Sequence, residues 1–363
     1  MNPSTNSKVA IVYDRVNKFG GAERVLLTLH DMFPDAPLYT SLYNKETARW
    51  ADVFPKVYTS FLHNIPILKN YHELLGWLMP MAFEQFNFDK YDLVISVTSE
   101  SAKGIITGTN TFHICYMLTP TRYLWSGYGE YFTNPIFRFI SKPIVNYLRW
   151  WDRVASTRPD KIVSISSEVQ ERVKKYYGRE SEIIFPPVDL ISSNPSNIKS
   201  VDYYLYVGRL VKYKRADLLI DVFNDLGLSL VIVGTGSEER RLKQKAKKNI
   251  VFLGSVSDND LVNIYSKAKA FMMPQDEDFG ITAVEAQSFG VPVIAYNRGG
   301  AKDTVVDGKT GVLFNDQTKQ SLSDAISRFD TISFDKRYLV TNAKRFSKDL
   351  FKEKFFKLIK QNI

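Results

Sequence analysis

The chain has 363 residues, of which 44% are hydrophobic and 13% aromatic, enough for packed cores, so a globally disordered chain is excluded. Its formal charge of +9 is concentrated: residues 336–363 hold nine basic and two acidic side chains, and the rest is close to neutral. That distribution excludes a surface coated with positive charge for duplex nucleic acid.

The length suggests about two domains, at roughly 100–200 residues each. The lone Cys115 excludes an internal disulfide framework and a cysteine-based zinc site, and fits a reducing compartment. The opening residues MNPSTNSK lack the apolar centre of a signal peptide. No apolar run reaches the roughly 18 residues that a membrane-crossing helix requires.

In chain order, short apolar runs at Val9–Tyr13, Leu93–Val97, His113–Leu118 and Ile162–Ile165 read as buried strands. A second series follows at Tyr204–Val207, Leu228–Val233, Ile250–Leu253, Ala270–Met273 and Val291–Ala295. Uninterrupted apolar runs suit parallel strands with helices over both faces. Several are followed by Gly, Ser or Pro and then by amphipathic stretches, so the expected class is α/β, doubly wound. Between the series, residues 186–202 hold two adjacent prolines and then Ser and Asn, the composition of an interdomain linker. The expected domains are 1–190 and 200–340, with a basic helix at 341–363; two such domains imply a cleft between them. Tyr58–Phe88 breaks the alternation, being dense in apolar and aromatic residues with prolines at 66 and 80. It reads as helical core and lid packing; the functional reading is an acceptor- or membrane-facing surface.

Three segments carry chemistry. In Pro274–Ala286, the strand ends, Gly280 permits tight backbone, and Ile281–Phe289 reads as a helix. The unpaired amides of a helix start favour an anionic group such as a diphosphate. Glu277 in the loop and Glu285 about one turn into the helix can accept hydrogen bonds from sugar hydroxyls. In Val207–Arg215, Arg209 and Lys214 follow a buried strand. Arg grips phosphate with a fork and Lys acts as a point charge, at the sheet edge where open α/β folds bind ligands. In Phe19–Arg24, Gly20 and Gly21 follow the first strand and allow close backbone approach. Gly234-Thr-Gly236 reads as a turn.

These residues in this order resemble the retaining glycosyltransferases of family 4. The resemblance also rests on Ala102-Lys-Gly104, Thr119-Pro-Thr-Arg-Tyr-Leu-Trp125, Gly299-Gly300 and Val306-Asp-Gly-Lys-Thr-Gly311. It is nearest to the bacterial O-antigen and polysaccharide mannosyltransferases. It implies the GT-B fold: two Rossmann-like domains facing a cleft, with the final helix crossing back to the first. It implies a nucleotide-diphosphate sugar as co-substrate, with GDP-mannose as the subgroup's donor type, no cofactor and no metal. Arg209 and Lys214 then hold the diphosphate, Glu277 the donor sugar and Glu285 the ribose. Phe279, Gly280 and Ile281 meet phosphate or sugar oxygens, and the loop at Gly254 meets the base. Gly20 and Gly21 close on the donor from the other domain. Leu118, Arg122 and Tyr123 lie on the acceptor or sugar side.

Leu118 departs from the subgroup, which places His beside the donor sugar. An apolar side chain suits a 6-deoxy sugar, because it leaves a buried C6 hydroxyl unpaired. A weakened paralogue is the blander reading. His113, five residues earlier, reads as a core histidine. The implied acceptor is a lipid-linked or polysaccharide glycan at the inner membrane face, reached by a cytoplasmic, peripheral enzyme. Phe346, Leu350, Phe351, Phe355, Leu358 and Ile359 form an apolar helical face in the tail, and the lysines beside them suit anionic lipid or plain solvent. Two alternatives differ in kind: a sugar-nucleotide epimerase of the same fold, and a non-catalytic nucleotide-sugar-binding partner.

Overall fold

The computed structural model describes residues 7–65, 76–131, 133–190 and 202–363. The linker residues 191–201 and the middle of the aromatic stretch, 66–75, lie outside the described residues. The chain divides into two compact units: Met1–Pro187 with Phe351–Ile363, and Val188–Leu350. The segment 341–363 is therefore not one piece, since its first ten residues belong to the second unit and the remainder to the first.

The first unit holds strands β1 (Val9–Tyr13), β2 (Leu38–Thr40), β3 (Val57–Thr59), β4 (Leu93–Thr98), β5 (Phe112–Met117), β6 (Lys161–Ser164) and β7 (Glu182–Ile183). They form one parallel sheet in the order β3-β2-β1-β4-β5-β6-β7. Helix α1 (Gly21–Met32) follows β1, and helix α2 (Pro135–Ala155) follows the loop after β5. Of the aromatic stretch, Leu62, Met79, Ala82, Phe83 and Phe88 lie in a buried cluster with Val94 and Ala10.

The second unit holds β8 (Tyr204–Val207), β9 (Leu230–Val233), β10 (Ile250–Gly254), β11 (Ala270–Met273), β12 (Val293–Tyr296) and β13 (Gly311–Phe314). These also pair in parallel, in the order β10-β9-β8-β11-β12-β13. Side chains alternate between the faces, as the two-residue period of a strand requires. Tyr204, Tyr206, Ile232 and Met272 enter one core with Leu219 and Phe223 of α3 (Ala216–Leu226). Leu205, Phe271 and Met273 enter the other with Tyr265 of α4 (Asp258–Lys267) and Ala283 of α5 (Ile281–Ser288). Burial on both faces explains why β8, β9, β11 and β12 read as unbroken apolar runs, whereas β10 exposes Val251 and Leu253.

Helices α6 (Lys319–Asp330), α7 (Lys336–Lys344) and α8 (Lys348–Asn362) close the chain. From Phe351 onward α8 belongs to the first unit, where Phe351 and Phe355 pack at 5.7 and 6.2 Å from the Tyr116 ring. The apolar tail face is accordingly split: Phe346 packs on Phe279 in the second unit, with ring centres 5.4 Å apart. The tail lysines turn partly to their own fold. Lys348 pairs with Asp189 at 2.6 Å, and Lys352 with Asp31 at 3.4 Å.

Candidate active site

In the second sheet the strand order reverses between β8 and β11, and ligands of doubly wound sheets bind at such a reversal, beyond the carboxyl ends of the strands. The loops leaving β8 and β11 carry the residues that the sequence singles out. Lys214 ends a single 3-10 turn, Lys212–Lys214. Its ammonium pairs with the Glu277 carboxylate and stands 5.4 Å from the centre of the Tyr213 ring. The exposed Arg209 donates from Nη2 to the Tyr213 hydroxyl at 2.8 Å. Gln275 Nε2 donates to the same Glu277 oxygen at 3.1 Å. Arg209, Lys214 and Glu277 are thus one connected group.

That group sits on constrained backbone. Arg215 adopts a left-handed conformation at φ 54, uncommon for a side chain of this size. Its guanidinium donates to Gln317 at 2.9 Å, and Gln317 donates to the Pro274 carbonyl at 2.8 Å, tying the two loops together. Gly299 lies where a Cβ would stand 2.0 Å from the Glu277 carbonyl, so only glycine lets the β11 loop rest there.

Helix α5 opens directly after this loop. Gly280 caps it at φ +89, and a side chain there would also meet Met273 Sδ at 2.9 Å. The Ala283 amide donates to the Gly280 carbonyl at 3.0 Å, and the amides that open a helix have no acceptor one full turn back. Phe279 is buried against Phe346, so its ring serves packing. Glu285 accepts from the Tyr265 hydroxyl at 3.1 Å, on the first turns of α5. Gly254 ends β10 at a register shift, with β9 between it and β8.

The first unit carries the other residues named from sequence. Gly20 caps α1 with extended backbone, φ −174, which any residue adopts; a Cβ would meet only the flexible Glu23 carboxylate at 3.3 Å. Gly21 opens α1. Leu118 follows β5, half-buried, with its amide bonded to the Thr98 carbonyl at 2.8 Å. Arg122 and Tyr123 lie in the next turn, and burial, with Glu100 nearby, pushes the Tyr123 hydroxyl pKa up. His113 is fully buried, bonded through Nε2 to Ser96 Oγ at 2.8 Å, while Nδ1 has no partner. Burial lowers its pKa to about 3.

Sequence reading missed a charged framework at the reversal of the first sheet, between β1 and β4. The Asp14 carboxylate accepts from the amides of Ser99, Glu100, Ser101 and Ala102 at 2.6–3.0 Å, and from Thr98 Oγ1 at 3.0 Å. Arg15 pairs with Glu100 at 2.5 Å. Lys103 and Asp152, both fully buried, pair at 2.6 Å. Asp152 also accepts from Thr121 at 2.9 Å and from Trp125 and Tyr177 at 2.7 Å each. Two signals were available: an acid directly after β1, and a single acid in an otherwise basic and apolar helix. Among the described residues no group of three or more His, Cys, Asp or Glu is placed to hold a metal ion.

Residues 191–346 match the family model "Glycosyl transferases group 1". An uncharacterized glycosyltransferase of Methanocaldococcus jannaschii is 27% identical over 57% of this chain and 60% of its own length. A GDP-mannose-dependent phosphatidylinositol monomannoside mannosyltransferase of Mycobacterium tuberculosis is 32% identical over 33% of this chain and 36% of its own. The chain thus spans between about a third and 60% of these relatives' lengths. Across 98% of the chain, the Anabaena protein HepE, solved with UDP, superposes with a TM-score of 0.71 at 20% identity, covering all of that structure. The lipopolysaccharide outer core galactosyltransferase WaaB superposes over 98% of the chain and all of its own with a TM-score of 0.69 at 18% identity. Such identities establish likeness of fold. The fold is GT-B, with two parallel Rossmann-like sheets. Within the second unit the similarity is to group 1 glycosyl transferases.

Proposed function

We propose that the protein is a retaining, metal-independent glycosyltransferase that moves a hexose from a nucleotide-diphosphate sugar to a glycan acceptor, lipid-linked or polysaccharide. The connected group of Arg209, Lys214 and Glu277 carries the reading. Cations beside a hydroxyl-accepting carboxylate suit a sugar joined to a diphosphate, at the edge where doubly wound sheets take ligands. In the reaction, the bond from C1 to the phosphate oxygen breaks and charge grows on the diphosphate. Arg209, Lys214 and the start of α5 stabilise that charge. The acceptor oxygen bonds to C1 on the same face, and its proton passes to the departing phosphate oxygen. Glu277 orients the sugar through its hydroxyls, and Glu285 holds the ribose.

The donor is a mannose-like hexose or its 6-deoxy counterpart, and the half-buried Leu118 supports the latter. The M. tuberculosis relative is named as GDP-mannose-dependent and HepE was solved with UDP, so the base is settled by assay. Hydrolysis and transfer are measured across GDP-, UDP- and dTDP-sugars. One donor is expected to turn over, and Glu277→Gln to cut its rate about 10²-fold, the loss of one transition-state hydrogen bond. Binding without turnover of any donor points instead to a non-catalytic partner. Conversion of a donor to its epimer points to the epimerase. Leu118→His is expected to move preference about tenfold toward the 6-hydroxy sugar; a wild-type preference for that sugar removes the 6-deoxy assignment.

A further inference from the structure

Helix α2 packs on the first unit through Val145, Leu148, Trp151, Asp152 and Ala155. Its first ten residues, Pro135–Ile144, contain no buried side chain. They are nonetheless properly started: the Asn134 side chain accepts from the amides of Ile136 and Phe137. At about 1.5 Å per residue, close to 15 Å of helix therefore runs without a buried side chain. What it presents there is apolar. Phe139 is 79% exposed, Ile136 71%, Ile140 67% and Trp150 61%.

The pattern is ordered. Ile136, Ile140, Ile144, Tyr147, Trp150 and Val154 are all exposed and recur every three or four residues, one stripe of a helix. The four basic residues Arg138, Lys142, Arg149 and Arg153 recur at steps of four, seven and four, which places them together along one flank of that stripe. Arg149 is half-buried and donates to the Leu124 carbonyl at 2.7 Å, while Arg138, Lys142 and Arg153 are exposed, Arg138 and Arg153 lying 5.0 and 4.9 Å from the Tyr128 and Trp125 ring centres. The only acid, Asp152, is turned inward onto Lys103. α2 thus has three faces: one packed, one basic and one apolar.

Contiguous exposed apolar surface marks an interaction site, and the charge selects the partner. A twofold pairing of two copies would set the same basic flank against itself. An anionic bilayer meets both remaining faces at once. Apolar side chains enter the boundary of the acyl region, Trp and Tyr favour that level, and bases meet phosphate head groups. Among the described residues no helix is long and apolar enough to cross a membrane. We propose that α2 docks the first unit on an anionic phospholipid surface, the apolar stripe inserted and the Arg138–Arg153 flank on the head groups. The tail helix α8 buries its apolar face and so offers a bilayer only its lysines. Vesicle binding is read without donor or acceptor, so the proposal stands apart from the transferase reading.

The test is flotation of the full chain with phosphatidylcholine vesicles, with and without phosphatidylglycerol. Wild type is expected to bind the anionic vesicles at least tenfold better, and to lose that advantage at high salt. Phe139→Glu with Ile140→Glu should reduce binding at least tenfold without moving the thermal midpoint, since both side chains are exposed. Arg138→Glu with Lys142→Glu should abolish the preference for anionic lipid, whereas Lys357→Glu in α8 should leave it. On these vesicles the Trp fluorescence should shift to the blue in wild type and not in Trp150→Phe. Binding that survives the Phe139/Ile140 change overturns the proposal. So does absence of binding, whether the chain is a monomer or a dimer that the same change dissociates; the latter assigns the face to a second copy.

Discussion

Each sheet reverses its strand order once, between β1 and β4 in the first unit and between β8 and β11 in the second, and charge collects at both reversals. In the first, Asp14 fills the cradle of four backbone amides that follows β4, and Lys103 is sealed against Asp152. In the second, the corresponding charges stay within reach of solvent: Arg209 is exposed, and Lys214 and Glu277 are 15% and 18% exposed. The same topology carries a largely internal charge network in one unit and a partly solvent-exposed charged group in the other. The difference lies in what occupies the loop amides, in the sealed Lys103–Asp152 pair and in the exposed Arg209; Arg15 and Glu100 of the first reversal, 19% and 15% exposed, are no more covered than Lys214 and Glu277.

The internal network should fail first. Lys103→Met leaves Asp152 buried without its ion partner, and removing one member of such a pair costs about 3–5 kcal/mol. Chemical denaturation is expected to show that loss. An unchanged midpoint would mean that the first reversal is not braced by this pair. At the exposed group the cost should fall on rate. Arg209→Ala is expected to slow transfer about 10²–10³-fold, while stability stays within about 0.5 kcal/mol, as for an exposed side chain. Equal loss of stability in both variants would erase the contrast.

A third test concerns pH. His113 has its pKa lowered to about 3 by burial. The unfolded chain, with an ordinary value near 6.5, binds a proton that the folded chain does not. Stability should therefore fall as pH drops from about 6.5 to 3, at no more than about 1.4 kcal/mol per pH unit. His113→Gln should flatten that slope in denaturation series across this window. An unaltered slope would locate the acid sensitivity elsewhere.

Nine strands were legible as apolar runs, eight because both faces are largely covered and β10, which exposes Val251 and Leu253, from its apolar sequence alone. β2, β3, β7 and β13 were not. Leu38-Tyr-Thr40 and Val57-Tyr-Thr59 are three residues long, and Glu182-Ile183 only two, too short for any period to show. β13 lies directly after the turn motif at Val306–Gly311, which reads as loop. At the candidate site, Arg209, Lys214 and Glu277 stood out because each follows a readable strand. Their mutual contact did not, because strands 204–207 and 270–273 are neighbours only through the sheet order. Asp152 was hidden for the same reason, lying 49 positions from Lys103 in the chain. Exposure of α2 was invisible too: an amphipathic helix looks the same in sequence whichever side it turns to the core.

The first unit is not continuous in sequence. Phe351 and Phe355, which cover Tyr116, are encoded after the whole of Val188–Leu350. At about 5–20 residues per second, synthesis of that intervening unit takes roughly 8–30 s. For that interval the Tyr116 surface has no α8 to cover it, although the rest of its sheet has already left the ribosome. The first unit to be made is thus the last to be finished. A delay in translating the second unit lengthens the exposure of the first.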